Sequence, residues 1–223
     1  MKSLHIAAKD LKSEFRTKQM LNSMLIFSLV VIVIFSISFA ELLSQPEMLV
    51  KLAPGVLWIA FTFAGTLGLS RSFADEMENG CLEGLKLSPI DRSSIYIGKT
   101  ISSAILMFIV ELLTIPIFIV LFNYNITGIL GLAIIIFLGT FGFVSVGTLL
   151  SALSTSTRAR EIMLPVLLLP LIIPVIIPAV MATGKVLVDG DIGNIGSELR
   201  LLLVYDLIFF VAGYLVFEYT IMD

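Results

Sequence analysis

The sequence has a single cysteine, Cys81, and a single histidine, His5. One cysteine cannot form an internal disulfide, and it leaves no cluster for zinc or an iron–sulfur centre. One histidine gives no histidine-based metal site within the chain. Charge is scarce as well: 14% of the 223 residues are charged, 14 basic and 17 acidic. A soluble domain carries roughly a quarter charged residues. That shortage, with 58% hydrophobic residues and a mean hydropathy of +1.06, excludes a soluble enzyme, a nucleic-acid reader and a disordered chain. The net charge of −3 and the pI near 5.2 say little about partners, because in a membrane protein the placement of Lys and Arg matters more than their sum.

Long apolar runs take the place of charge. A helical span needs about 20 mostly apolar residues, and six segments qualify: about Met24–Ala40, Pro54–Leu69, Thr100–Phe122, Ile126–Leu150, Ile162–Ala182 and Leu201–Thr220. The ten-residue alternating segments of a membrane β-barrel are absent. The expected fold is an all-α integral membrane protein, one permease-like domain over residues 1–223 with no separate soluble domain. The first run is expected to be a retained span, although Ser38-Phe39-Ala40 resembles a cleavage site, because its leading charged region is long and five more spans follow.

Basic residues set the orientation. Eleven lie before the first span, between the second and third, or between the fourth and fifth; only Lys51, Lys185 and Arg200 lie on the other side. Both termini are therefore expected to be cytoplasmic. Residues 3–21 read as an amphipathic interfacial helix, with Leu4, Ala8, Leu11 and Phe15 near helical spacing and Lys9, Lys12, Arg16 and Lys18 as tips for phosphate headgroups.

The segment 73–87 concentrates acid. Asp75, Glu76, Glu78 and Glu83 lie close together, Phe73, Met77, Leu82 and Leu85 can share a helix face, and Gly80 and Gly84 permit a bend. On this pattern alone two readings stand level: a docking element for a cytoplasmic partner, or a solvated loop that keeps the topology. Ser88-Pro89-Ile90-Asp91 reads as a helix start, with Ser88 as N-cap, Pro89 at the first helical position and Asp91 as a capping-box carboxylate. Gly98-Lys99-Thr100 is not a phosphate-binding loop: position 93 is Ser93, where that motif needs glycine, and no strand precedes it. Any ATPase must come from another subunit.

Two acids stand out within the spans. Glu111 lies near the middle of the third, where a charge costs about 2.5–3.5 kcal/mol on insertion scales. For it, a polar contact on a working path and plain interhelical hydrogen bonding are equally supported. Asp206 lies in the sixth span towards the outer end, where it is expected to reach water in part and to serve packing. Pro165, Pro170, Pro174 and Pro178 share the fifth span, and Pro116 lies in the third. Four prolines in one span predict a kinked or broken helix. Gly147 and Ser151, and Ala64 with Gly68, have the small-residue spacing of close helix packing. No catalytic constellation is found.

Six spans, an interfacial N-terminal helix and the string Glu78-Asn79-Gly80-Cys81-Leu82-Glu83-Gly84-Leu85, followed by Ser88-Pro89 and Gly98-Lys99, resemble the permease subunits of type-2 ABC exporters. In that family the acidic segment before Ser-Pro couples to the ATPase. The resemblance implies this role for Asp75, Glu76, Glu78, Gly80, Leu82, Glu83, Leu85 and Pro89. Glu111-Leu112-Leu113-Thr114-Ile115-Pro116 and Leu169-Pro170-Leu171-Ile172-Ile173-Pro174-Val175 are similar to one branch, the haem exporter protein B family of cytochrome c maturation. This implies a multi-pass protein of the plasma or inner membrane. Its expected partners are an ABC ATPase subunit that holds the ATP, haem-handling membrane subunits, a second copy as a homodimer and the lipid bilayer. Haem would be the transported or delivered ligand of the complex, with no cofactor bound by this chain. Alternatives are an exporter of a drug, lipid or glycan, and a structural assembly subunit without a transport path.

Overall fold

The computed structural model describes residues 2–39, 46–78, 91–123, 128–154, 160–191 and 193–220. The helices are α1 (Lys2–Thr17), α2 (Gln19–Ser38), α3 (Pro46–Glu78), α4 (Arg92–Phe122), α5 (Ile129–Ser154), α6 (Arg160–Asp189) and α7 (Gly196–Thr220), with a short 3-10 turn at Gly193–Ile195. Among the described residues there is no strand. Six helices, α2 to α7, are long and apolar enough to cross a membrane, so the chain is a multi-pass all-α membrane protein.

The N-terminal helix is shorter than expected. It ends at Thr17 because Lys18 takes the left-handed conformation, φ 55°, which an L-residue adopts only as a single-residue corner. Glu14 covers the far side of that corner. Its Oε1 accepts a hydrogen bond from the Leu21 N–H at 2.8 Å, which satisfies one free donor in the first turn of α2 and places negative charge at its positive end. Residues 19–21 thus belong to the first crossing helix. The face that α1 turns to the bundle is Ile6, Ala7 and Glu14. Leu4 (60% exposed) and Phe15 (49%) point away from the other helices, whereas Leu11 of the predicted stripe is half-buried and packs against the main core.

Two other expectations are corrected. The helix after the cytoplasmic segment begins at Arg92: Asp91, at ψ 130°, is its N-cap residue and makes no side-chain capping bond, so Asp91 is no capping-box carboxylate inside an earlier turn. Ser88 and Pro89 lie outside the described residues. Of the two outcomes expected for the proline-rich span, kinked or broken, the break does not occur, since α6 is one helix from Arg160 to Asp189 with all four prolines inside it. Each proline removes one backbone donor. At spacings of four and five residues the intervening N–H groups keep their bonds, so the ladder is thinned and not interrupted.

α3 and α5 are the most enclosed spans. Small residues let them meet: a methyl at Gly139 would strike the Trp58 ring, and one at Gly147 would strike Leu69. The Ser151 hydroxyl donates to the Leu69 carbonyl at 2.7 Å. Trp58 also ties α3 to α6, through its Nε1–H to Thr183 Oγ1 at 3.0 Å. A second, smaller cluster of Ile6, Ile95, Tyr96, Ala152 and Phe217 joins α1, α4, α5 and α7 at the end where α1 lies.

Candidate functional site

Chemistry-bearing side chains gather at two levels. The first is at the α1 end of the bundle. Lys99 is 2% exposed, and its Nζ lies 3.0 Å from Asp10 Oδ2 on α1 and donates to the Ser72 carbonyl of α3 at 3.0 Å. One ammonium group therefore joins three helices. Its neighbour Gly98 makes room for this. A methyl there would stand 2.8 Å from the Ser3 carbonyl oxygen, against the side of α1. Burying a lysine is costly unless it is paired and hydrogen-bonded, and here both conditions hold. Tyr96, one turn away, donates to the Ser145 carbonyl of α5 at 3.0 Å and packs against Phe217 at 5.4 Å between ring centroids.

Of the predicted coupling residues, Asp75, Glu76 and Glu78 fall on the last turns of α3, a few residues beyond the Ser72 carbonyl that Lys99 holds. α3 is thus a single rod from the membrane interior to the acidic segment. Gly80, Leu82, Glu83, Leu85 and Pro89 lie outside the described residues.

The second level is the middle of the crossing helices. Glu111 on α4 is 1% exposed. Thr140 of α5 donates to its Oε1 at 2.5 Å, while Oε2 has no hydrogen-bond partner among the described residues. Glu111 lies in the wall of a groove of about 530 Å³ between α4 and α5, otherwise lined by apolar residues that include Phe108, Leu112, Pro116, Ile129 and Phe137. Pro116, predicted only as a bending residue, is part of that lining. On the other side of α4, Ser28 of α2 and Thr114 share a hydrogen bond of 3.2 Å.

Asp206 does not reach water as expected. It is 4% exposed, ten residues into α7. The side chain enters the space over Gly142 of α5, with Val175 of α6 and Tyr205 beside it. Neither of its oxygens has a hydrogen-bond partner among the described residues. Burial here is decided by Gly142, which removes the side chain that would fill that space. The adjacent Tyr205 hydroxyl donates to the Leu171 carbonyl at 2.7 Å, between Pro170 and Pro174 of α6. The two midplane acids are thus held on different helix pairs and are not one site.

Sequence reasoning missed Asp10 and Thr140, and it read Gly98 and Lys99 only as a motif, not as a joint between helices. The signal for Lys99 was present: a lysine adjoining an apolar run is a charge that needs a counter-group. Placing the span's edge at Thr100 hid it by one residue.

Comparison with known proteins is consistent along the chain. The family described as CcmB protein matches residues 1–214. Heme exporter protein B of Escherichia coli (strain K12) is 31% identical over 93 residues, 42% of this chain and 41% of that protein. Its counterpart from Rhodobacter capsulatus is 32% identical over 126 residues, 56% of this chain and 58% of that protein. The Haemophilus influenzae protein of the same name is 28% identical over 167 residues, 75% of this chain and 74% of that protein. The match thus spans about two fifths of the Escherichia coli relative's length and about three quarters of the Haemophilus influenzae one.

Proposed function

The chain belongs to the CcmB protein family, and on that premise we propose that it is the permease subunit of an ABC transporter complex that exports or delivers haem for c-type cytochrome biogenesis. The observation that carries this is the family match over residues 1–214, joined by relatives named heme exporter protein B. The chain sits in the plasma or inner membrane with both termini in the cytoplasm, a reading supported by the eleven-to-three distribution of basic residues. It supplies no catalytic site. ATP is bound and hydrolysed by a partner subunit, and the stable haem ligands belong to haem-handling membrane partners. A second copy of the chain completes a homodimeric permease.

The working part is α3. The ATPase engages the acidic segment from Asp75 to Leu85 and Pro89, whose first residues continue α3. Movement there reaches Ser72, and through Lys99 it reaches α1 and α4 together. Close packing passes it to α5 at Gly147 and Ser151 and to α6 at Thr183. The thinned hydrogen-bond ladder of α6 lets that helix bend at Pro165, Pro170, Pro174 and Pro178.

Deleting the gene tests the assignment. Cells without it are expected to lose covalently bound haem in c-type cytochromes while b-type cytochromes stay normal, with recovery on re-expression. Normal c-type cytochromes in the deletion strain would reject the haem reading and leave an ABC exporter of another substrate.

A further inference from the structure

We propose that Asp206 is a latch for a second arrangement of α6, in which α6 yields towards α7 and the Asp206 carboxyl donates a hydrogen bond to the main-chain carbonyl of Pro174. In the present arrangement the acid lacks a partner. Asp206 is 4% exposed, and neither of its oxygens has a hydrogen-bond partner among the described residues. A carboxyl buried in this way is carried as the neutral acid, whose hydroxyl needs an acceptor. Pro178, one turn on from Pro174, has no N–H to give the Pro174 carbonyl. That carbonyl belongs to the peptide link into Val175, and Val175 and Asp206 border the same space over Gly142. A donor without an acceptor and a carbonyl without its helical donor therefore stand at one level of the bundle.

The neighbouring contacts favour such a shift. Tyr205, next to Asp206, already donates to an α6 main-chain carbonyl, that of Leu171, at 2.7 Å. Further along, Lys185 Nζ of α6 lies 2.6 Å from Glu198 Oε1 of α7. α6 is thus tied to α7 at Leu171 and at Lys185, and Pro174 and Pro178 lie between the ties. A helix held at two points and short of donors between them yields between them. Gly142 of α5 sets the present arrangement. The Asp206 side chain enters the space that a side chain at 142 would fill, and a methyl there would strike its Oδ1. Movement of α6 towards α7 offers the acid its missing acceptor, and that gain is the differential contact by which the second arrangement is held. The latch is a property of the chain itself and does not rest on the haem reading.

The test is infrared spectroscopy of the purified full chain in lipid nanodiscs. Subtracting the spectrum of the same chain with Asp206→Asn isolates the acid C=O band of Asp206, which lies at lower frequency when the acid is hydrogen-bonded. The wild type should show mainly the free-acid band. Gly142→Ala crowds the carboxyl off α5 and should shift the band to the bonded position. Adding Pro178→Ala, which returns a donor to the Pro174 carbonyl, should shift it back; adding Pro165→Ala, towards the other end of α6, should not. No acid band from Asp206, a wild-type band already in the bonded position, no shift with Gly142→Ala, or a bonded band indifferent to Pro178→Ala would each overturn the proposal. Because Gly142→Ala alters a packed contact, a second measurement avoids it. At equal membrane levels Asp206→Asn, which keeps an N–H donor, should support a normal yield of c-type cytochromes, and Asp206→Leu should lower it severalfold. A normal yield with Asp206→Leu, in cells where deleting the gene abolishes those cytochromes, would also overturn the latch.

Discussion

The α1 end of the bundle and its midplane bury charge in opposite ways. At the α1 end, Lys99 is matched by Asp10 and the Ser72 carbonyl, and Glu14 by the Leu21 N–H. At the midplane, Glu111 has one oxygen paired and one unpaired, and Asp206 has neither paired among the described residues. A buried pair with its bonds made acts as a fixed joint, because separating it exposes an uncompensated charge. An unpaired carboxylate behaves otherwise: any arrangement that offers it a partner is favoured over the present one. In the proposed mechanism the end that carries the acidic segment passes movement on, and the level of Glu111 and Asp206 is where the arrangement changes.

The largest effect is expected from Asp10→Ala. It removes the carboxylate that lies 3.0 Å from the buried Lys99 ammonium, at an expected cost of about 1–3 kcal/mol. Thermal melting in detergent should show a larger fall than any single substitution of a midplane acid produces. An unaltered melting curve would show that Lys99 is satisfied without α1. Asp206→Leu should move stability the other way. Replacing an unpaired buried acid with an apolar side chain of similar size is expected to stabilise by about 1–3 kcal/mol. Destabilisation would mean that the carboxylate does have a partner in the resting protein. The smallest effect is expected from Glu111→Gln, which keeps an acceptor for Thr140; melting should change by under about 1 kcal/mol. The same variant should still reduce the yield of c-type cytochromes, and a normal yield would confine Glu111 to packing.

The spans were legible because crossing a bilayer demands a long apolar run, and hydropathy reports that directly. Helix ends were not, because hydropathy stops where charge begins while the helix continues. α3 runs on past Leu69 to Glu78 through Arg71, Asp75 and Glu76, and α4 starts at Arg92, well before Thr100. α1 shows a second limit. The spacing of Leu4, Ala8, Leu11 and Phe15 revealed the outward positions Leu4, Ala8 and Phe15 but not that Leu11 turns to the core, and the inward face of Ile6, Ala7, Asp10 and Glu14 mixes apolar and acidic residues with no simple period. Asp206 shows a third. Its distance from the chain's apolar boundary suggested access to water, yet its burial depends on Gly142, a residue of another helix. Glu111 was visible as an intramembrane acid. Thr140, which binds it, is one of several hydroxyls on α5, and only packing selects it.

In the proposed mechanism, force from an ATPase enters at the acidic end of α3. It is tested most directly by purifying the tagged chain in mild detergent and quantifying co-purified proteins by mass spectrometry, with wild type beside the Glu78→Lys/Glu83→Lys double variant. The expected result is an ABC ATPase and haem-handling membrane subunits with the wild type, and loss of the ATPase with the double variant at an equal level of inserted protein. Equal recovery of the ATPase in both, or none with the folded wild type, would contradict the claim.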